Sequence, residues 1–217
     1  MTDVLTNTGL KFFGAMTASI SHELKNRFAI INEQAGLLTD LVKMSETSGP
    51  IAPERLERLA AAVKKQVGLA DDLLKHMNRF SHSVDQIRGE ADICLVLVCT
   101  AALSRRPADM RNVSLELRLP DTPAMAHTST FWLMNLIWIL LDAAMGPAGN
   151  ARQVTISCDT PPEGVLIKIV GTADDSAMTR AVAAVSGLVA ELQVQLTQQT
   201  ERQSVSLLLP VQTSAHQ

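Results

Sequence analysis

From Leu10 to Lys43 the chain reads LKFFGAMTASISHELKNRFAIINEQAGLLTDLVK. The stretch holds no proline, and its only glycines are Gly14 and Gly36. Leu10, Thr17, Leu24, Ile31 and Leu38 recur every seven residues, and Phe13, Ile20, Arg27, Gln34 and Leu41 repeat three places on. Such a pattern is the a/d seam of a long helix packed on a partner helix, with polar breaks at Thr17, Arg27 and Gln34.

Outward from this seam, Ser45–Pro53 (SETSGPIAP) has the composition of a turn. A second seam follows, with Leu56, Val63, Ala70, Met77 and Val84 at one position and Leu59, Gln66, Leu73 and Phe80 at the other. Thirty residues of helix span roughly 45 Å, and two such helices on a short loop form an antiparallel hairpin. Phe28, Val42, Val67 and Leu74 widen the apolar stripes beyond what one hairpin covers. Pairing two hairpins into a four-helix bundle buries that surplus, so a homodimer is expected.

Beyond Gly89 the period changes. Ile93–Leu103 reads as a short helix, and Val113, Leu115, Leu117 and Leu119 alternate as in a half-buried strand ended by Pro120. Thr128–Thr130 can cap a helix from Phe131 to Met145, which Gly146-Pro147 stops. Strands are expected at Gln153–Cys158 and Val165–Val170, then a helix over 176–193 and a last strand at Ser204–Leu209. The fold expected is a helical hairpin forming a dimeric four-helix bundle, followed by a two-layer α+β sandwich with a mostly antiparallel sheet. The boundary falls near residues 86–91, giving a helical-hairpin dimerisation domain at 1–88 and an α/β domain at 89–217.

Composition narrows the function. Across 217 residues the formal net charge is -3, and no Lys/Arg cluster builds a basic patch, so nucleic acid is not an expected ligand. Cys94, Cys99 and Cys158 lie in apolar runs without metal-ligand spacing and read as reduced, buried thiols. MTDVLTNTGLKFF lacks the pattern of a signal peptide, and Phe131–Met145 is too short to span a bilayer. A cytoplasmic protein without membrane contact is expected.

With Leu10 at position a, His22 falls at f and faces away from the seam. On spacing alone, a solvated surface histidine and a nucleophilic imidazole both satisfy that position. Asn26 lies one turn on along the same face, able to orient a water or a phosphoryl oxygen, and Glu23 at g is able to hold a ring proton.

Ser21-His22-Glu23-Leu24-Lys25-Asn26, near the start of a long helix in a hairpin, resembles the H-box of sensor histidine kinases. Leu73–Ser81 (LLKHMNRFS) looks like the end of that family's second dimerisation helix, and the downstream half is similar in order and length to its ATP-binding domain. The resemblance implies that His22 is the phosphoacceptor, that Glu23 assists proton transfer and that Asn26 supports phosphatase chemistry. Arg27 stands where the family often has a proline that kinks the helix.

The same resemblance exposes what the second half lacks. The helix Asn135–Ala144 is similar to the family's N-box, yet Asp142 stands where its Mg²⁺-binding Asn is expected. Gly171 occupies the place of the Asp that recognises adenine, and Asp174 and Asp175 come about three residues late, as caps of the next helix. From Gly171 onward the only other glycine is Gly187, so no Gly-rich lid can turn backbone N–H groups toward phosphates. The site at Asp142 and Gly171 is read as degenerate, with no ATP and no cofactor bound by this chain.

An acceptor histidine beside a relic ATP domain resembles the sporulation-initiation and ChpT-type histidine phosphotransferases. What that implies is a two-component phosphorelay, with phosphoryl groups exchanged between His22 and a receiver-domain aspartate. The response-regulator receiver would supply Mg²⁺ and dock on the face around Ser19, His22, Lys25 and Asn26. A non-catalytic pseudo-histidine-kinase adaptor and a response-regulator phosphatase are the alternatives, and ATP-dependent autokinase activity is not expected. His76 and His82 lack partners at metal-ligand spacing. His127 and His216 are read as loop and tail residues, Ser21 points about 100° away from His22, and Met77, Met134 and Met145 are read as core.

Overall fold

The computed structural model describes residues 2–147, 152–171, 175–199 and 203–210. The cap expected at Asp174 and the tail histidine His216 lie outside them. The chain divides into two compact units, Ala15–Asn78, and Met1–Gly14 together with Arg79–Gln217.

Helix α1 spans Thr2–Ser48 and α2 spans Pro53–His82. Helix α1 starts earlier than its seam and continues unbroken through Arg27, where the proline that would remove an N–H is absent. Pro53 opens α2 at the position where a missing N–H costs nothing, with Glu54 in the first turn and Arg79 and His82 in the last. Cross-helix neighbours run in antiparallel order. The rings of Phe13 and Phe80 stack with centroids 5.3 Å apart, and Arg27 Nη1 donates to Gln66 Oε1 at 3.3 Å. Gln34 and Leu41 line one groove with Leu59 and Arg55. Ile20, Leu41 and Ala70 are buried, whereas Phe28, Val42, Val67 and Leu74 are 58%, 50%, 53% and 41% exposed. The residues that widen the stripes in the sequence are therefore the ones this hairpin leaves open.

The other unit is built around a five-stranded sheet. Its elements are β1 (Gly89–Asp92), α3 (Ile93–Met110), β2 (Val113–Arg118), β3 (Met125–Thr128), α4 (Thr130–Met145), β4 (Arg152–Asp159), β5 (Gly164–Val170), α5 (Asp175–Ala184), α6 (Ser186–Leu192), β6 (Gln195–Gln199) and β7 (Ser204–Pro210). The strand order is β2-β4-β5-β7-β6, with only the β2–β4 pair parallel, and β1 and β3 form a separate antiparallel pair. The buried faces of β4, β5 and β7 (Val154, Ile156, Ile167, Ile169, Val205, Leu207) and the nearly all-apolar α4 supply the core. Gly146 ends α4 at φ +62°, a conformation that glycine adopts without strain.

Several elements differ from the sequence reading. Helix α3 runs past Leu103 and through Pro107 to Met110. The helix expected over 176–193 is two helices that part at the buried Val185. Strands β1, β3 and β6 were not anticipated, since GEAD, MAHT and QLTQQ carry no apolar alternation. His127 sits on β3, opposite Glu90, and not in a loop.

The two units also cut the chain differently from a division at 88/89. Phe12 at the start of α1 and Phe80 at the end of α2 meet at 5.4 Å, and Phe12 packs on Phe131 and Trp138 of α4 at 5.6 and 5.5 Å. Gly9 approaches α4 so closely that an added Cβ would lie 2.7 Å from the Trp132 ring. This aromatic cluster joins both helix ends to the sheet unit.

Candidate functional site

His22 is exposed on α1, with Ser21, Lys25 and Asn26 also exposed and Ser19 half-buried. A position away from the seam leaves the imidazole open to a docking partner, as the heptad register requires. Asn26 follows one helical turn on.

Glu23 and Arg27 are half-buried and form an ion pair along the helix, four residues apart. Arg27 also reaches across the hairpin to Gln66, so one guanidinium ties a carboxylate of α1 to an amide of α2. The sequence registers Arg27 and Gln66 only as interruptions of two seams. Both stand at the same heptad position, and equal heptad positions face each other in this hairpin, which is the signal that could have paired them. Glu23's carboxylate is thus committed to Arg27.

His82 Nδ1 lies 2.7 Å from Asp85 Oδ2 in an exposed contact, and no group of three His, Cys, Asp or Glu residues is placed to hold a metal among the described residues. Met134 and Met145 are fully buried and Met77 half-buried, in keeping with core packing.

Two features bear on the nucleotide site that the sequence reads as degenerate. On α4, Asp142 is engaged by Arg111, the residue that caps the end of α3. Arg111 Nη2 lies 2.7 Å from Asp142 Oδ1, and Nη1 donates to the Asp142 carbonyl at 3.1 Å. Nothing in the sequence marks Arg111, because it lies outside every periodic segment. A cleft of about 410 Å³ opens beside this pair, with Ala143 and Gly146 on one wall and Ala177 and Arg180 on the other.

Gly171 lies just past β5. Its N–H donates to the Gln203 carbonyl at 3.1 Å, and its Cα rests against α4. An added Cβ would come within 2.7 Å of the Ala144 carbonyl oxygen and 2.8 Å of the Ala144 Cβ. An Asp at this position therefore requires α4 to move. A space of about 10 Å³ beside Gly171 is lined by Met178, Gln198 and Ser204. The fully buried Asn135 at the start of the same helix has neither amide atom hydrogen-bonded among the described residues.

None of the three thiols is in a disulfide; Cys99 and Cys158 are buried and Cys94 is half-buried. Burial pushes the Cys99 thiol up to about 11. Cys158 is pushed up to about 12, first by burial and then by the neighbouring Cys94, Asp159 and Asp92. No helix among the described residues is long and apolar enough to cross a membrane.

The sequence matches no family model and no curated protein. Among solved structures the chain is similar to the Acinetobacter baumannii histidine kinase AdeS, at 16% identity over 88% of this chain and 98% of that one, with a TM-score of 0.47. It is also similar to the cytoplasmic segment of the histidine kinase QseC, at 16% identity over 67% and 92%, TM-score 0.45. A histidine kinase from Burkholderia phymatum is similar at 13% identity over 87% and 94%, TM-score 0.45.

Proposed function

We propose that this chain is a histidine phosphotransferase of a two-component phosphorelay, exchanging phosphoryl groups between His22 and a receiver-domain aspartate as a homodimer and without ATP. The observation that carries this reading is the exposure of His22 on the outward face of α1, flanked by the exposed Lys25 and Asn26. A neutral imidazole there offers one ring nitrogen's lone pair to phosphorus. Lys25 supplies positive charge beside an arriving phosphoryl group, and Asn26 and Ser19 complete the docking face. Mg²⁺ belongs to the receiver, which polarises its own acyl phosphate.

Two contacts support the absence of ATP chemistry. Arg111 occupies the carboxylate of Asp142, the group otherwise available to a nucleotide-bound metal. Gly171 packs so closely on Ala144 that an acidic side chain there would collide with α4, which supports the reading that adenine is not recognised at this strand end. The open apolar stripe of Phe28, Val42, Val67 and Leu74 supports the dimer, since a second hairpin removes it from water.

The test is incubation of the chain with phosphorylated receiver domains, followed by detection of acid-labile label on it. Label appearing as receiver label falls supports the relay. Tight binding to a receiver with no label on this chain replaces the reading with that of a non-catalytic adaptor. Loss of receiver label to free phosphate, with none on His22, replaces it with a phosphatase.

A further inference from the structure

Between Ala15 and Ala29, Glu23 is the only acid, and Lys25 and Arg27 are the only Lys or Arg residues. The acid adjoins the proposed acceptor in sequence. Phosphoryl transfer to His22 forms a P–N bond as the acyl P–O bond breaks, and the bond's electrons leave on the receiver's carboxylate while the other ring nitrogen keeps its proton. The incoming group brings most of two negative charges. A free carboxylate on the next residue would oppose it.

The structure answers that difficulty locally. Arg27 pairs with Glu23 and is itself fixed by Gln66 of α2, so the carboxylate is neutralised and drawn toward the hairpin seam. The side chains of both Arg27 and Glu23 are largely shielded, at 25% and 22% exposure, which weakens screening of their attraction by solvent. We infer that Arg27 is a positioning residue for His22, one that withdraws the Glu23 charge from the path of the phosphoryl group. This inference rests on the reading of His22 as the acceptor. It gives one polar break in each seam a role: Arg27 and Gln66 form one layer that sets the hairpin register and holds Glu23 away from the reacting ring.

The test compares the equilibrium share of label between His22 and a phosphorylated receiver in the unaltered chain and four variants. Arg27→Met keeps a long, helix-favouring side chain and removes the charge. Its share of label should fall about threefold, the scale of a single charge pair near a protein surface. Glu23→Gln in the Arg27→Met background should restore the share, because no carboxylate is left to compensate. Glu23→Gln alone should raise the share, because the opposing carboxylate is gone and the Arg27 charge is freed, and a lowered share overturns the inference. Arg27→Lys keeps a cation four residues from Glu23 and should stay near the unaltered protein. An unchanged share in Arg27→Met overturns the inference, as does a loss that Glu23→Gln fails to restore, which would mark Arg27 as purely structural. Absence of label on His22 in the unaltered protein overturns the acceptor reading and this inference with it.

Discussion

Arg111 Nη2 and Asp142 Oδ1 lie 2.7 Å apart, joining the C-terminal cap of α3 to the helix that would border a nucleotide. A carboxylate paired with a guanidinium gives up that partner to bind a metal, and here the same guanidinium also holds the Asp142 carbonyl. Together with the close approach of Gly171 to Ala144, this predicts no heat of binding for ATP-Mg²⁺ at millimolar concentration. Micromolar affinity in calorimetry would revive an ATP-driven kinase.

Placing an acid at position 171 should not create a nucleotide site. Gly171→Asp places a Cβ within 2.7 Å of the Ala144 carbonyl oxygen, so α4 has to give way. We expect a stability loss of about 2 kcal/mol, in the range of overpacked cores, without any gain in nucleotide binding. A variant as stable as the unaltered protein in thermal unfolding would show that the close approach is not real.

The hairpin should associate through its open stripe. Leu24 and Leu73 occupy seam positions and are half-buried within the single hairpin. Replacing either by Asp sets an unpaired charge in the proposed bundle core, at a cost of several kcal/mol. Light scattering at micromolar concentration should report a dimer for the unaltered protein and a monomer or unfolded chain for either variant. A monomeric unaltered protein contradicts the bundle.

Thiol chemistry offers an independent check on the sheet unit. Cys99 and Cys158 are buried and raised to about 11 and about 12, so little thiolate forms at either below pH 9. Under native conditions an alkylating reagent should mark only Cys94, with Cys99 and Cys158 reacting once the fold is lost. Native labelling of Cys158 would place β4 differently.

Much of this architecture is legible in the sequence where periodicity is long. The seams mark out both long helices, and the structure then brings Phe13 against Phe80 and Arg27 against Gln66, pairs that the sequence reading did not make. Short edge elements are not legible. Strand β6 has one apolar residue, Leu196, and pairs with β7 alone, so nothing in QLTQQ demands alternation. Helix α3 continues through Pro107 because Val96, Leu97, Ser104 and Ala108 stay on its buried face. At the candidate site, the heptad register reads the exposure of His22 correctly. It cannot read that Glu23 turns to Arg27 or that Arg111 finds Asp142, because side-chain partners are chosen in three dimensions.

The central claim is that one ring carries the phosphoryl group. Position f makes few packing contacts, so His22→Ala should change stability by no more than about 0.5 kcal/mol. No neighbour can replace the nucleophile, since Ser21 has no base beside it on the helix and an ammonium group carries no free lone pair. Asn26→Ala should keep acceptance and alter only net hydrolysis. The decisive measurement is transfer of acid-labile label from a cognate phosphorylated receiver to the unaltered protein and to His22→Ala, with the labelled residue located by mass spectrometry. The account predicts label on His22 in the first and none in the second, with both proteins equally folded. Label on His76, His82 or any other residue of the His22→Ala protein would contradict it.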